Sequence, residues 1–218
     1  MNTAPKIIFC WPEMPPLPPL DQAVLIRVAT SPSRPAARQE LRTVLRQALA
    51  AWSNLSPEQL PLDETARGPV WPGQLDGHSL DISLSYADDE GWIGLLRGGQ
   101  IGVDAMKIQP FAEAEAVARL CLGQTDLETI RQSADPTLAF AAAWTKLEAR
   151  VKCLKRDLDE WSPATATAQC ATQSIVLSNR RVVTVATRAT ARNVSDTFAP
   201  APILFLDTAR AKNSPSLA

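Results

Sequence analysis

The sequence predicts an α+β fold, and three observations carry that prediction. Short β-branched or alternating runs at 6–11, 23–28, 80–85, 92–97 and 100–107 have strand character. Two longer stretches, one after Ser33 and one over 138–161, repeat apolar residues at helical spacing. Strands and helices alternate irregularly, with hairpin signals between neighbouring strands, which is the pattern of α+β rather than of a regular βαβ series.

Composition narrows the functional classes. At 218 residues the chain makes one domain or two small halves. Lys and Arg number 22 against 23 Asp and Glu, a net charge of −1, and pI is near 5.9. That balance argues against nucleic-acid binding and against a polybasic membrane surface. Hydrophobic residues at 45% and charged ones at 21% suit a globular chain with a core. His78 is the single histidine, so a His-pair zinc site or a His relay within one chain is excluded. Chemistry falls to carboxylates, Lys, Arg and hydroxyls. Cys10, Cys121, Cys153 and Cys170 are scattered with no C-x-x-C pair, and no secretory leader is visible. The expectation is reduced thiols in a cytoplasmic protein. The apolar stretch 7–11 is too short for a leader core or a membrane span.

Taken in order, the strands at 6–11 and 23–28 flank a proline-rich segment, 12–19. It reads as a stiff polyproline II connector, although its P-x-x-P spacing is one that adaptor domains bind. A helix follows Ser33, with Pro35 in its first turn. Leu41, Leu45, Ala48 and Trp52 recur on one face, with Val44 and Leu49 beside them. Arg34, Arg38, Arg42 and Arg46 form a second row at i,i+4. Helical rotation places Arg38 at the apolar edge and turns Arg42 and Arg46 towards solvent. An Arg at a core edge is costly unless it meets an anion, so Arg38 stays open between an anion-binding and a solvated role.

The run 80–85 alternates apolar and polar residues like a half-buried strand. The runs 92–97 and 100–107 read as a hairpin turning at Gly98-Gly99, with Gly102, Asp104 and Met106 on one face of the second strand. Helices are expected at 113–122, at 126–132 and over 138–161. The last has Phe140, Trp144, Leu147, Val151, Leu154 and Leu158 as its apolar stripe. Glu148 and Lys152 sit one turn apart at the stripe's edge. A final hairpin, 174–178 with 182–186, turns at Asn179-Arg180, and 211–218 reads as a frayed tail.

Two of these elements carry chemistry. Asp104 in a strand pleat and Glu148 at a helix edge could converge on one divalent cation, since Mg²⁺ takes one or two carboxylates together with substrate phosphates and water. Lys152 could then neutralise a leaving phosphate. Read alone, Glu148 and Lys152 are better explained as an ordinary helix ion pair.

Gly102-Val-Asp104 followed by Trp144-Thr-x-x-Glu148-Ala-x-x-Lys152 resembles the paired signature G-[IV]-D-x-E and W-x-x-K-E-A-x-x-K of the Sfp-type 4′-phosphopantetheinyl transferases. Arg67-Gly68-Pro69 is similar to that family's Gly-Lys-Pro element, and Ser83-Leu-Ser85-Tyr86-Ala87 to its N-L-S-H-S/A strand end. Arg38 stands where the family has an Arg in its first helix. The resemblance runs over 34–155. It implies two similar α+β halves forming a pseudo-dimer with the active site between them, here 1–100 and 101–195, followed by an extension and tail at 196–218. It also implies a monomer and a definite reaction: the phosphopantetheine arm of coenzyme A moves to a serine hydroxyl of an acyl or peptidyl carrier protein, and adenosine 3′,5′-bisphosphate leaves. Asp104 and Glu148 would hold Mg²⁺, and Glu148 would take the serine proton. Lys152 would stabilise the leaving phosphate, and Arg38, Arg67, Ser85 and Tyr86 would bind coenzyme A. Phosphoryl chemistry of this kind asks for positioning and charge neutralisation, which suits a chain with one histidine.

Three departures qualify the resemblance. Met106 replaces the second acid of the strand motif, as in some members of the family, and a thioether is a poor Mg²⁺ ligand. Leu147 stands where the family has Lys, with Lys146 one position earlier. Tyr86 replaces a strand-end His and carries no charge. Met106 and Tyr86 are the features that favour the alternative, a coenzyme A-binding relative with a regulatory role and impaired catalysis. The segment 111–137, with Phe111, Leu120, Leu122 and Ile130 beside Arg119 and Arg131, is the expected carrier-protein surface. Which carrier is served is not encoded in any of these motifs.

Overall fold

Strand-forming and helix-forming segments alternate along the chain in the irregular way the sequence predicts. A computed structural model describes residues 7–10, 17, 19, 20, 22–161, 170–189 and 203–207. In chain order come β1 (Ile7–Cys10), β2 (Ala23–Ala29), α1 (Arg34–Ser53), β3 (Asp63–Thr65), β4 (Gly68–Val70), β5 (Gln74–Leu75), β6 (His78–Ala87), β7 (Glu90–Arg97) and β8 (Gly99–Lys107). Then follow α2 (Ala114–Val117), a π-helical turn (Ala118–Leu122), α3 (Gln124–Gln132), α4 (Pro136–Cys153), β9 (Ala171–Leu177), β10 (Arg181–Ala189) and β11 (Ile203–Asp207). This is an α+β arrangement. The proline-rich connector lies largely outside the described residues, and the tail 211–218 wholly so. Among the described residues no helix is long and apolar enough to cross a membrane.

Among the described residues three sheets form, in the orders β1-β11-β2-β7-β6-β5, β8-β10-β9 and β3-β4. Residues 203–207 return to the first sheet and pair in parallel with both β1 and β2. Within the two larger sheets one order recurs: a strand, a helical stretch and a hairpin, with the first strand pairing the hairpin's second. It appears as β2-β7-β6 and again as β8-β10-β9.

The expected hairpin at Gly98-Gly99 does not form. Both edges of β7 are already taken, by β2 and β6, so β8 finds no free ladder there and crosses to the second sheet. The edge of β8 that faces away from β10 is met by side chains of β6. Ile101 N–H donates to the Asp81 carboxylate at 2.7 Å, Val103 N–H to Ser83 Oγ at 2.9 Å, and Ala105 N–H to Ser85 Oγ at 3.1 Å. The polar positions of β6 are therefore not its solvent face, and Ser83 and Ser85 are buried. Leaving one such buried donor unmet costs about 1–3 kcal/mol, so these three bonds fix the seam between the sheets.

Helix α1 packs Leu41, Leu45, Ala48 and Leu49 onto the first sheet. The expected disposition of its arginines is reversed. Arg38 is exposed, whereas Arg42 and Arg46 are half-buried. Arg42 makes a bidentate pair with Glu64, both contacts at 2.6 Å, and Arg46 donates to the Pro57 carbonyl at 2.9 Å. The chain from 56 to 65 folds back over that face of the helix, which helical periodicity alone does not reveal.

Helix α4 begins at Pro136, capped by Asp135, whose side chain accepts from Leu138 N–H at 3.0 Å. It ends at Cys153 rather than continuing to 161. Arg156 N–H bonds the Val151 carbonyl and Lys155 N–H the Lys152 carbonyl, with Lys155 at φ 54°, a Schellman ending built on a non-glycine residue. With neither Gly nor Pro at that point, the sequence carries no stop signal. Leu158 and Trp161 are consequently exposed. The expected apolar stripe is not the buried face either: of its members only Phe140 is buried, and the helix seats Ala141, Thr145, Ala149 and Cys153 instead. The expected helix at 113–122 divides into α2 and the π-helical turn, while the hairpin at Asn179-Arg180 forms as expected, with Arg180 at φ 56°.

Candidate active site

Gly102 decides how close α4 comes to β8. A Cβ at this position would lie 1.9 Å from the Ala149 carbonyl oxygen and 2.5 Å from the Cys153 nitrogen, so the helix backbone itself rests on the strand. A hydroxyl chain running from the buried threonines out to exposed Ser174 fixes the contact, with Thr145 Oγ1 at 2.8 Å from Thr184 Oγ1 and that oxygen at 2.8 Å from Ser174 Oγ. Each residue of the pair Glu148 and Lys152 directly precedes a seated one, Ala149 and Cys153. Both side chains emerge beside the strand, next to Asp104.

These groups line a cleft of about 640 Å³. Its walls are the start of α1 at Arg34 and Ala37, the end of β6 at Ser85 and Tyr86, β8 at Asp104 and Met106, and α4 at Trp144, Glu148 and Lys152. Lys152 Nζ lies 2.7 Å from Asp104 Oδ1 and 3.1 Å from the Val103 carbonyl. The lysine thus pairs across to the strand, not along its helix to Glu148. Ser85 Oγ donates to Asp104 at 3.0 Å while accepting from Ala105 N–H, which makes it a positioner of the carboxylate. Among the described residues Glu148 has neither a hydrogen-bond nor an ion-pair partner. Burial pushes its carboxyl pKa up, the Asp104 charge pushes it further, and Lys152 opposes both. Two carboxylates close enough to perturb one another, one of them without a partner, form a donor set that a hard divalent cation fits. No group of three or more acidic, His or Cys side chains gathers among the described residues, so the other ligands of such a cation would be water and substrate oxygens.

The arginines divide differently from the expectation. Arg34, a member of the i,i+4 row with no motif of its own, lines the cleft, and Arg38 does not. Burial raises the Tyr86 phenol pKa, and Arg42, Arg38 and Arg34 pull it back, so the row faces Tyr86 even where it does not touch the cleft. The i,i+4 spacing was the visible signal for Arg34; its place in the first turn beside Pro32 is what brings it to the opening. Arg67 is elsewhere. At the tip between β3 and β4 it donates to the Lys155 carbonyl and to both oxygens of Asp157, strapping down the chain that leaves α4. Met106 lines the cleft beside Asp104, as i,i+2 spacing on a strand requires. Exposed Lys146 lies off it.

The expected carrier surface is smaller than its sequence suggests. Leu122 and Ile130 are buried, Phe111 and Leu120 are exposed, and Glu115 pairs with both Arg119 and Arg131.

Residues 100–199, just under half of the chain, match the family model of the 4′-phosphopantetheinyl transferase superfamily. That interval contains Asp104, Met106, Glu148 and Lys152, while Arg34, Arg38, Arg67, Ser85 and Tyr86 precede it. No curated protein matches the chain.

Proposed function

We propose that this protein is an Sfp-type, Mg²⁺-dependent 4′-phosphopantetheinyl transferase that moves the phosphopantetheine arm of coenzyme A to a serine of an acyl or peptidyl carrier protein. The observation that carries the reading is the meeting of Asp104, Glu148 and Lys152 in one cleft, within the interval that matches the superfamily. The recurrent order of β2-β7-β6 and β8-β10-β9 supports a monomeric pseudo-dimer of two halves, 1–100 and 101–195, with 196–218 as an extension. A cytoplasmic setting, with neither nucleic acid nor membrane as a partner, goes with this reading.

In this account Asp104 and Glu148 would hold Mg²⁺, which would supply charge neutralisation at the coenzyme A pyrophosphate. Ser85 keeps Asp104 oriented through its 3.0 Å bond. Glu148 accepts the serine proton directly or through a water. The serine oxygen bonds to the pantetheine-bearing phosphorus, and the pyrophosphate bond on the adenosine side breaks. Lys152 stabilises or protonates the leaving phosphate, which departs as adenosine 3′,5′-bisphosphate. Arg34 and Tyr86 at the cleft wall, with Arg38 one helical turn on from Arg34, offer positive charge and a phenol donor to the phosphates of coenzyme A. Arg67 acts on this site through the chain after α4.

The alternative, a coenzyme A-binding relative with a regulatory role, is favoured by the tie between Lys152 and Asp104 together with Met106 and Tyr86. Intact-mass measurement separates the two. Apo-carrier proteins incubated with this protein, coenzyme A and Mg²⁺ should each gain one phosphopantetheine, and EDTA should prevent it. Unchanged masses across a diverse carrier panel would overturn the transferase reading, and coenzyme A binding in that case would support the alternative.

A further inference from the structure

The end of α4 that is seated on β8 brings two thiols together. Cys153, the last residue of the helix, is fully buried with Ala149 and Ala186, and Cys170, just ahead of β9, packs against that cluster. The two cysteines therefore share one small packed cluster, and neither is in a disulfide. Cys153 Sγ also lies 3.4 Å from the Gln100 carbonyl oxygen, which holds it at the strand that carries Gly102. Cys170 is half-buried, so one member of the pair can be reached from solvent. Arg188, Arg150 and Arg156 lie close enough to it to favour its thiolate.

We propose that Cys153 and Cys170 form a redox pair that closes reversibly into a disulfide on meeting a hydroperoxide or a small-molecule disulfide. Cys170 is the attacking sulfur and Cys153 the resolving one. With a hydroperoxide, the Cys170 thiolate bonds to the terminal oxygen, the O–O bond breaks, and water or an alcohol leaves, giving the Cys170 sulfenic acid. The Cys153 sulfur then bonds to Cys170, the S–O bond breaks, and water carries off the Cys153 proton. With a small disulfide, a mixed disulfide on Cys170 is the intermediate, and a small thiol is released at each step. Two electrons pass from the pair to the oxidant, and a dithiol reductant restores them. The assignment of roles agrees with the electrostatics: the neighbouring Cys153 thiol draws the Cys170 thiol down to about 7 against the cost of burial, aided by the three arginines, whereas Cys153 is pushed up. Cys121 is a built-in comparison, raised by burial and by Glu160 and Glu148. The inference rests on the placement of the sulfurs and not on the transferase reading.

The test uses the full-length chain, reduced, freed of reductant, and treated with hydrogen peroxide or glutathione disulfide before alkylation and peptide mapping. The expected result is a peptide crosslinked between Cys153 and Cys170, loss of two hydrogens in intact mass, and reversal by dithiothreitol. Cys121→Ser should still crosslink, Cys170→Ser should not, and Cys153→Ser should stop at a glutathione adduct on Cys170. At neutral pH iodoacetamide should label Cys170 roughly five- to tenfold faster than Cys121, the thiolate advantage less its lower nucleophilicity. The wild-type map decides the matter even if Cys153→Ser fails to fold. Oxidised wild-type protein that carries only adducts or higher oxides on Cys170, or a crosslink through Cys10 or Cys121 instead, would overturn the proposal.

Discussion

Helices α1 and α4 each lie over a three-strand group of the same pairing order, and they are held there in different ways. Helix α1 stands on leucines: Leu41 fills the space over Gly91, where a Cβ would fall 2.6 Å from Leu41 Cδ2. Helix α4 stands on small residues, and its own backbone occupies the space over Gly102. A helix held off by leucines offers long cationic side chains to the cleft, as Arg34 does. Direct seating of the backbone lets Glu148 and Lys152 reach a strand carboxylate. Packing distance, rather than residue type alone, determines which helix supplies the chemistry.

The largest effect that would sharpen this comparison is on activity. Glu148→Gln, at the seated helix, should lower the transfer rate by about 10²–10⁴, the usual cost of losing a general base. An unchanged rate at saturating Mg²⁺ would move the catalytic group elsewhere. Stability should then separate the two glycines. Gly102→Ala drives a Cβ into backbone and should cost about 1–3 kcal/mol or more in denaturant unfolding, whereas at Gly91→Ala the Leu41 side chain can turn aside. Equal losses would break the distinction between the two kinds of seating.

Two smaller effects concern the carboxylates themselves. Burial and Asp104 raise the Glu148 pKa in the folded chain above its unfolded value. Between those two values the folded state binds more protons than the unfolded one, so stability falls as pH rises through the window and the loss is complete above it. Without Mg²⁺, Glu148→Gln should therefore unfold at higher denaturant than the parent at neutral pH, and this advantage should disappear below the ordinary glutamate range. A parent that gains stability across that window from Glu148 would contradict the burial argument. Met106→Glu adds a hard oxygen beside Asp104 and should lower the Mg²⁺ concentration for half-maximal activity several-fold, on the order of 1 kcal/mol, while Met106→Ala leaves it nearly unchanged. Loss of Mg²⁺ dependence in folded Met106→Ala would show that the cation lies on another face of the cleft.

What the sequence revealed and what it concealed divide along physical lines. Periodicity located α1, β6 and the hairpin of β9 and β10, because local pattern decides those elements. It could not foresee that β8 leaves β7, since that depends on β2 having already taken the other edge. The polar residues of β6 read as a solvent face, yet Asp81, Ser83 and Ser85 bond the backbone of a strand in another sheet, a role that no period encodes. The leucine stripe of α4 was visible and its buried alanine face was not, because that face depends on Gly102 lying beneath it. Of the site, Asp104, Glu148, Lys152, Ser85 and Tyr86 meet at one cleft as their motifs imply. Arg34 takes the wall position that the reading gave to Arg38, and Arg67 is drawn to Asp157, because side-chain reach and loop placement are tertiary properties.

Calorimetric titration of coenzyme A into the protein tests the central claim most directly, that Asp104 and Glu148 form one cation-dependent site for its pyrophosphate. The account predicts Mg²⁺-dependent binding, weakened about tenfold or more by EDTA or by Asp104→Asn, as expected when a charge-assisted contact worth about 1.5–3 kcal/mol is lost. Coenzyme A binding of equal strength with and without Mg²⁺, and in Asp104→Asn, would contradict it.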